Sequence, residues 1–597
     1  MSWFASPPAP PPSWFASPPA PPPAEGPSIF ALAAVVATLA LLFVVAHVLD
    51  YDGAKPVATA DRFAAAAAAS ASAPPAYPSW WPRRLKLPSD GTFALLCAFW
   101  GALALRCAVA LWGHSGQNAP PMFGDFEAQR HWMEVTVNLP PTAWYVDGRD
   151  NDLQYWGLDY PPLSAHLSWL IGKVALHGGR PELVALHASR GLETAEAKTF
   201  MRRSVQLCDA LVYLPAALAH GVAAVRGRHR WLPLLQLVLL PALVLVDHGH
   251  FQYNCVSLGL ALWAFTAALR GRPLACAFCF TLALNFKQMS LYLAPAIFCY
   301  LLAGCLRAAT KTAAALRVAR LGAVVLATTA LCWAPFLGSW ADARAVLVRV
   351  FPVGRHLYED KVASVWCTLA LTPLKLKHLL SIPTLVRLTL GVTLAALGPP
   401  CAMLLARPSR AGFLLGATAC ALAFFLFSFQ VHEKHVLLPL LPAALLAPRC
   451  PTAFGWLAAV ASFSMYPMLK RDGDPWSLRL PYAVTQLLFT ALSLDPAAFG
   501  LPAPPAAAQL PTPLRWPLRA SLAGMAALHA ADLLVAPPAR YPDLHAALFA
   551  AYACVHLGCA YLAALYAQWR LAATEPPHTP FDDARADVPL LSGAKEE

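Results

Sequence analysis

Long apolar runs recur along the chain, and short polar stretches separate them. Many of these runs reach about 17–25 residues, the length that an α-helix needs to cross the hydrocarbon core of a bilayer. The pattern predicts roughly fourteen membrane-spanning helices, in addition to an apolar segment at Ile29–Leu49. The predicted spans begin near Phe93, Val205, Trp231, Cys255, Pro273, Ser290, Leu321, Thr384, Ala411, Val436, Ala453, Tyr482, Ser521 and His545.

Two segments depart from this pattern. Pro273–Phe286 is apolar but too short to cross alone as a straight helix, so we expect a tilted or broken helix that continues into its neighbour. The segment "PPLSAHLSWLIGKVAL", which begins at Pro161, is amphipathic. We expect it to lie on the membrane interface rather than to cross the bilayer.

The distribution of these segments divides the chain into three regions. Residues 1–80 hold a repeated proline-rich motif, "SWFASPPAPPP", and an alanine-rich stretch, and they form a low-complexity N-terminus that includes the apolar segment 29–49. Residues 81–570 form the multi-span domain, which contains one long loop at 114–204. Residues 571–597 form a polar C-terminal tail.

The composition fits the same class of protein. Of the 597 residues, 58% are hydrophobic and only 13% are charged, whereas about a quarter are charged in soluble domains. The sequence therefore predicts an all-α polytopic membrane protein. The formal net charge of +12 is explained by Lys and Arg on cytoplasmic loops, which orient membrane helices. We expect no nucleic-acid partner, because no basic patch with interleaved aromatic residues stands apart from the membrane segments.

Successive clusters of Arg and Lys are separated by two predicted spans, so all of them can share the cytoplasmic side. The clusters are Arg83/Arg84/Lys86, Arg226/Arg228/Arg230, Arg270/Arg272, Arg307/Lys311/Arg317/Arg320 and Arg407/Arg410. The same count places five polar loops together on the opposite side: "GDFEAQRHW", "DHGHFQYN", "NFKQMS", "FPVGRHLYEDK" and "FQVHEKH". Lys470 and Arg471 are the exception to this rule. We therefore expect the chemistry at one end of the helical bundle.

The first of these loops concentrates titratable groups in "FGDFEAQRHWMEVT", which begins at Phe123. In a helix, Glu127 would lie beside Arg130 and His131, so an ordinary salt-bridged helix start explains the pattern as well as an active site does. As a site, the segment would supply a general base, since an ionised carboxylate can take a proton from an attacking hydroxyl. Asp125 is placed to cap a helix N-terminus, where the helix dipole favours the ionised form.

The second and third loops offer groups for a sugar or a charge. In "DHGHFQYN", His250 and Gln252 are candidates for a sugar site, and an interfacial aromatic belt is the alternative. Zinc at Asp247, His248 and His250 lacks further ligands at helical spacing. Lys287, in "NFKQ", stands in an apolar stretch where a charge is costly and is therefore a candidate functional group. Snorkelling to the interface is the alternative explanation.

The last two loops carry cations suited to a phosphate group. Arg355 lies in "FPVGRHLYEDK", and His432 and Lys434 lie in "FQVHEKH". Each of these side chains can hold a phosphate through charge-assisted hydrogen bonds, and simple solvation of the loops is the alternative.

Acidic residues also gather within the long loop. Asp150 and Asp152 form a DxD pattern, which can clamp Mg²⁺ against phosphates but also matches the common residues of a turn. Asp159 precedes a pair of prolines and is a second-rank site candidate.

Six ordered motifs together resemble the endoplasmic-reticulum α-1,3-glucosyltransferases that act on lipid-linked oligosaccharide. The motifs are "GDFEAQRHWMEVT", "NDLQYWGLDYPPLSAHLSWL", "DHGHFQYNCVSLG", "NFKQMSLYLAPAIF", "FPVGRHLYEDKVASVWC" and "FSFQVHEKHVLLPLLP". The likeness runs from about Phe93 to Pro442 and continues more weakly to about Gln568. Asp150, which completes the DxD, and His435, after "HEK", depart from the expected pattern.

The resemblance implies a GT-C-type membrane glycosyltransferase of the endoplasmic reticulum, with its active site on the lumenal side. Its donor would be dolichyl-phosphate-glucose, and its acceptor a dolichol-linked high-mannose oligosaccharide of N-glycan assembly. The first motif is most like that of the enzymes that add the first glucose to Man9GlcNAc2-PP-dolichol. The sibling enzyme that adds the second glucose is the near alternative, and a membrane transporter is the alternative of another class.

The resemblance also implies roles for individual residues. Asp125 would be the catalytic base of an inverting transfer, and His432 would be the main contact of the leaving phosphate. Further donor-binding candidates are Lys434, Arg355, Lys287, His250 and Gln252, and supporting candidates are Glu127, Arg130, His131 and Asp159. The family resemblance implies no metal or other cofactor.

Overall fold

The computed structural model describes residues 90–225, 227–351, 361–371, 376–472 and 478–582. Within these ranges the chain consists of helices joined by turns and loops, and no strand is present. The low-complexity N-terminus with its apolar segment 29–49, and the candidate residue Arg355, lie outside the described residues.

The α-helices, numbered α1 to α21 in chain order, are Asp90–Ala110, Gly124–Asn138, Pro162–His177, Ala195–Cys208, Leu214–Ala224, Trp231–Val238, Pro241–Val244, Asn254–Leu269, Pro273–Phe286, Ala294–Leu306, Lys311–Trp333, Trp340–Val350, Val365–Leu369, Leu376–Leu379, Ile382–Ala406, Arg410–Phe427, Leu437–Leu445, Pro451–Leu469, Arg479–Leu494, Thr512–Leu534 and Leu544–Thr574. Short 3₁₀ turns lie at Pro141–Ala143, Pro181–Val184, Arg228–Arg230, Gln288–Leu293, Ala334–Phe336, Glu433–Val436, Pro496–Phe499 and Ala506–Ala508, and π-helical turns lie at Asp209–Tyr213 and Leu245–Phe251.

Nine helical segments in the described ranges are long and apolar enough to cross a membrane. They are Gly91–Ala110, Ala195–Ala224, Arg228–Phe251, Gln288–Leu306, Lys311–Phe336, Ile382–Ala406, Arg410–Phe427, Pro451–Leu469 and Leu544–Thr574. Each coincides with a predicted span, which confirms the all-α polytopic class. The five other predicted spans also fall on helices, but α17 has only nine residues, too few to cross alone. The count of roughly fourteen therefore stays a prediction.

Three helices begin well before the predicted start of their span, at Ala195, Lys311 and Thr512 rather than near Val205, Leu321 and Ser521. The first of them shows a physical reason. The apolar pattern indicated a span that begins near Val205, whereas the helix begins at Ala195. The hydroxyl of Thr194 accepts a hydrogen bond from the amide of Ala197 at 3.2 Å and so caps the helix earlier. The first turns of this helix are polar and reach beyond the apolar region.

The two irregular segments have the predicted form. Helix α9 ends at Phe286, Lys287 is extended, and a 3₁₀ turn leads into α10, so the helix is broken at the lysine. The amphipathic segment forms α3 (Pro162–His177). Its exposed face carries Trp169, Leu170 and Val174, and its position on a membrane interface stays a prediction.

A second, smaller core supports the long loop. Next to the main core of the bundle, aromatic and aliphatic side chains from α2, α3, α12 and the intervening loop pack together. Trp132 and Trp144 are the largest of these buried groups. Because α2 is fixed by this core on one side and by the bundle on the other, its first turn is held at a defined place.

Candidate active site

The loop before α2 folds tightly against itself. Gly116 and Gly124 have φ values of 71° and 64°, which only glycine adopts without strain. A Cβ atom on Gly124 would lie 2.6 Å from the carbonyl carbon of Ser115, and one on Gly116 would lie 2.1 Å from that of Phe123. The two glycines therefore let two backbone segments touch directly ahead of the helix.

This contact fixes Asp125 inside the first helical turn. The N-cap position is taken by Phe123, which has a left-handed conformation with φ 55°, so the expectation that Asp125 caps the helix was wrong. The amide of Asp125 donates to the hydroxyl of Ser115 at 3.2 Å, and the amide of Ser115 donates to the carbonyl of His250 at 2.9 Å. Hydrogen bonds through Ser115 thus connect Asp125 to the second polar loop, "DHGHFQYN".

Three side chains from two distant segments converge on the carboxylate of Asp125. His250 Nε2 lies 2.9 Å and Gln252 Nε2 lies 2.6 Å from its Oδ2 atom. The ammonium group of Lys434 pairs with the same oxygen. The structure therefore brings together Asp125, His250, Gln252 and Lys434, all of which the sequence singled out, at one end of the bundle.

These neighbours keep the aspartate ionised. Burial alone would raise the pKa of Asp125, but the charge of Lys434 and the contacts of His250 oppose it, and the pKa lies well below its ordinary value. Burial lowers the pKa of Lys434, whereas the charge of Asp125 raises it, and the net pKa is raised. The pair is therefore charged on both sides at neutral pH. About a fifth of the Asp125 side chain stays exposed (20%), so a substrate can reach it.

Sequence reasoning missed Asp472, which completes this cluster. His250 Nδ1 lies 2.6 Å from Asp472 Oδ2, so the imidazole is held between two carboxylates. Both ring nitrogens face carboxylate oxygens, and both can donate only in the imidazolium form. Asp472 follows Lys470 and Arg471, whose position on the non-cytoplasmic side was the exception to the charge rule. That exception was the feature of the sequence that could have indicated Asp472.

A π-helical turn, Leu245–Phe251, presents the second loop. Such turns are frequent at functional sites, because the extra residue redirects the side chains. Within it, Asp247 accepts hydrogen bonds from Asn254 Nδ2 at 2.8 Å and the amide of Cys255 at 2.6 Å. His248 contacts Asp209 at 2.8 Å, whereas His250 contacts Asp125. The three candidate zinc ligands thus have three separate sets of partners.

Lys287 lies near this cluster without touching Asp125. Its ammonium group donates to Asn254 Oδ1 at 2.6 Å and lies 4.9 Å from the ring centre of Tyr160. Tyr160 in turn donates to Gln252 Oε1 at 3.4 Å. The break between α9 and α10 therefore places a buried cation near the Asp125 carboxylate, from which Tyr160 and Gln252 separate it.

The fifth polar loop, "FQVHEKH", forms the short turn Glu433–Val436. His432, half-buried, precedes this turn, and its ring centre lies 5.2 Å from that of His435. His435 is buried and contacts the hydroxyl of Tyr292 at 3.2 Å. His432 thus stands two residues from Lys434, on the same loop as the cation that pairs with Asp125.

The other charged groups of α2 form a buried network below the site. Arg130 Nη2 donates to Glu127 at 2.6 Å and to Glu134 at 2.7 Å, and Tyr155 donates to Glu127 at 2.9 Å. His131 lies 3.3 Å from Glu134. Burial raises the pKa of Glu134, but His131 and Arg130 outweigh it and lower the pKa to about 2. In the described structure these residues contact one another rather than Asp125, and their supporting role stays a prediction.

The remaining acidic candidates lie apart from Asp125. Asp150 is exposed and contacts His187 at 3.1 Å, and Asp152 accepts from the amide of Gln154 at 2.9 Å, as in an ordinary turn. The carbonyl of Asp159 accepts from Gln288 at 3.1 Å. Among the described residues, no group of three or more His, Cys, Asp or Glu is arranged to hold a metal ion.

The arrangement as a whole suits transfer chemistry. A partly exposed, ionised carboxylate at a helix N-terminus can accept a proton. The buried cation of Lys287 lies near this carboxylate without touching it and can stabilise negative charge that develops on a leaving group.

Comparison with known proteins gives a consistent assignment. The model of the ALG6, ALG8 glycosyltransferase family matches residues 102–563. A relative from Gallus gallus, named dolichyl pyrophosphate Man9GlcNAc2 alpha-1,3-glucosyltransferase, is 41% identical over 476 residues, which cover 76% of this chain and 92% of the relative. A probable enzyme of the same name from Arabidopsis thaliana is 41% identical over 488 residues, covering 79% and 87%.

A relative from Rattus norvegicus with this name is 44% identical over 389 residues, which cover 65% of this chain and 76% of the relative. The matched region includes all of the residues that surround Asp125 in the structure. The resemblance noted in the motifs is confirmed, and the chain belongs to the ALG6, ALG8 glycosyltransferase family.

Proposed function

We propose that this protein transfers the first glucose from dolichyl-phosphate-glucose to Man9GlcNAc2-PP-dolichol, in α-1,3 linkage, at the lumenal face of the endoplasmic-reticulum membrane. The relatives named above carry the corresponding acceptor in their names, which favours this acceptor over the singly glucosylated one. Membership of a glycosyltransferase family speaks against a transporter.

One observation carries the mechanism: a single, partly exposed carboxylate is held ionised by a lysine and a histidine. Among the described residues, all three donors to Asp125 bind Oδ2, and Oδ1 is left to accept the proton of the acceptor hydroxyl. The acceptor oxygen then forms a bond to the anomeric carbon of glucose while the bond to the phosphate oxygen breaks. Attack from the face opposite the phosphate converts a β-linked donor into an α-linked product.

The geometry divides the predicted donor contacts into two groups. Lys434, His250 and Gln252 bind the Asp125 carboxylate itself, so we assign them to the base. His432 and Lys287 are then the described candidates for the leaving phosphate, which takes up negative charge and requires cationic contacts more than a proton. In this mechanism the step requires no metal ion.

The test is a transfer assay with two acceptors. Purified protein is incubated with dolichyl-phosphate-glucose and with lipid-linked glycans that carry either no glucose or one glucose. We expect transfer to the acceptor without glucose. Transfer to the singly glucosylated acceptor alone would assign the protein to the second step, and no transfer to either would reopen the transporter alternative.

A further inference from the structure

A cavity of about 510 Å³ opens next to the two loops that carry Lys434 and Asp472. It lies between the end of α18, the end of α20 and the start of α21, and its size falls within the range of about 300–1,000 Å³ that is typical of ligand sites. Its wall includes Glu433 and Arg471, the chain neighbours of Lys434 and Asp472. The same two loops therefore form both the catalytic cluster and this cavity.

Among the described residues that line the cavity, charges of both signs occur in equal number. The cations are Lys361, Lys470 and Arg471, and the carboxylates are Glu433, Asp532 and Asp543. Such a wall repels a phosphate as much as it attracts one. It offers both donors and acceptors to a neutral polyhydroxylated ligand, whose hydroxyl groups act as both.

The polar wall is organised around Asp532. Lys470 donates to its Oδ1 atom at 2.6 Å, and His545 Nδ1 lies 3.3 Å from the same atom. Tyr466 donates to Oδ2 at 3.3 Å, and the carboxylate side chain is only 3% exposed. These contacts hold the lining groups in fixed positions, as recognition of a defined stereochemistry requires.

A different cavity of the protein has another balance of charges in its lining. It is lined by Arg272, Arg317 and Arg320, without a carboxylate in its described lining, and it lies among the residues predicted to face the cytoplasm. The cavity next to the loops of Lys434 and Asp472 therefore differs from it in both charge balance and position.

We propose that the cavity around Asp532 is a subsite for the mannose-rich glycan of the acceptor, and this rests on the proposed glucosyltransferase function. The reacting hydroxyl must reach Asp125, and the rest of a large glycan must then lie in an adjoining polar space on the same side. The cavity supplies that space. Tyr466 and Phe549, which are buried and stacked on each other, support the polar wall from behind.

The test is binding of fluorescently labelled, lipid-free Man9GlcNAc2 to the purified full-length protein. Ala546, half-buried in the first turn of α21, lines the cavity, so Ala546→Trp fills part of it. We expect glycan binding to weaken about tenfold or more. Leu548→Trp is the control, because Leu548 lies on the same helix but is 40% exposed and does not line the cavity.

A second variant, His545→Ala, removes one polar lining group without adding bulk, and it should weaken binding in the same direction. In transfer assays, both variants should raise the acceptor KM and leave the donor KM unchanged. Equal glycan affinity in wild type, Ala546→Trp and His545→Ala would overturn the subsite. Absence of glucose transfer by the wild type would instead overturn the proposed function, and the binding measurement reads out the subsite independently.

Discussion

His250 and Asp472 lie 222 positions apart in the sequence, yet Nδ1 of the imidazole is 2.6 Å from the carboxylate oxygen. The other ring nitrogen lies 2.9 Å from Asp125. The histidine therefore links the proposed base to a second, buried carboxylate. This relationship fixes the orientation of the ring and keeps its positive charge beside Asp125.

Asp472→Asn should lower kcat by about 10- to 100-fold, since a hydrogen bond to a charged group contributes about 1.5–3 kcal/mol. The KM values for donor and acceptor should stay unchanged, because Asp472 contacts the imidazole of His250 and not a substrate. A purely structural role would lower the amount of folded enzyme without lowering kcat per folded molecule. Asp495→Asn, an exposed turn residue, is the matched control and should leave kcat unchanged.

Asp125→Asn should lower turnover by about 10²- to 10⁴-fold, the usual contribution of general base catalysis. The amide is nearly the same size as the carboxylate but cannot accept the proton, so donor binding and folding should persist. Asp150→Asn serves as the control, because Asp150 is exposed and contacts only His187 among the described residues. Glucose transfer at the wild-type rate by Asp125→Asn would remove Asp125 as the base.

Lys434→Met tests the electrostatic support of the base. The folded-state pKa of Asp125 is depressed, so its ionised form persists to pH values below the ordinary range and is lost only as the pH falls through that depressed value. Without Lys434, burial raises the pKa, and the acid limb of the kcat/KM profile should move to higher pH. Lys173→Met, on α3 and outside the site, should leave the limb in place. An unshifted acid limb in Lys434→Met would contradict this account.

The fold class and the type of chemistry could be predicted from the sequence. Which side chains contact one another in the site could not. Alternation of apolar runs and basic clusters was sufficient to predict helices and to gather the polar loops on one side, because both follow from the cost of placing charge in hydrocarbon. It could not pair Lys434 with Asp125 rather than with a phosphate, because that depends on how loops more than three hundred residues apart meet. Asp472 was missed because its partner is fixed only by the tertiary fold.

Gly124→Ala tests the tight loop that positions Asp125. Alanine at φ 64° costs about 1–2 kcal/mol in backbone strain, and its Cβ would meet the backbone of Ser115 at 2.6 Å. The loop must shift, so kcat should fall while the protein remains folded in detergent. Gly148→Ala is the matched control, since its Cβ would meet nothing within 4 Å. Equal activity of the two variants would show that the loop contact does not set the position of the base.

Transfer should continue in the presence of excess EDTA, because Asp125 activates the hydroxyl directly and protein cations stabilise the phosphate. In the alternative mechanism, a metal ion binds the DxD pattern of the long loop. The double variant Asp150→Asn, Asp152→Asn tests this alternative. Asp150 contacts His187, and Asp152 accepts from the nearby amide of Gln154, so replacing both should change kcat by less than about twofold. A strict requirement for Mg²⁺ or Mn²⁺ that this double variant abolishes would assign the two aspartates to a metal site and replace the mechanism proposed above.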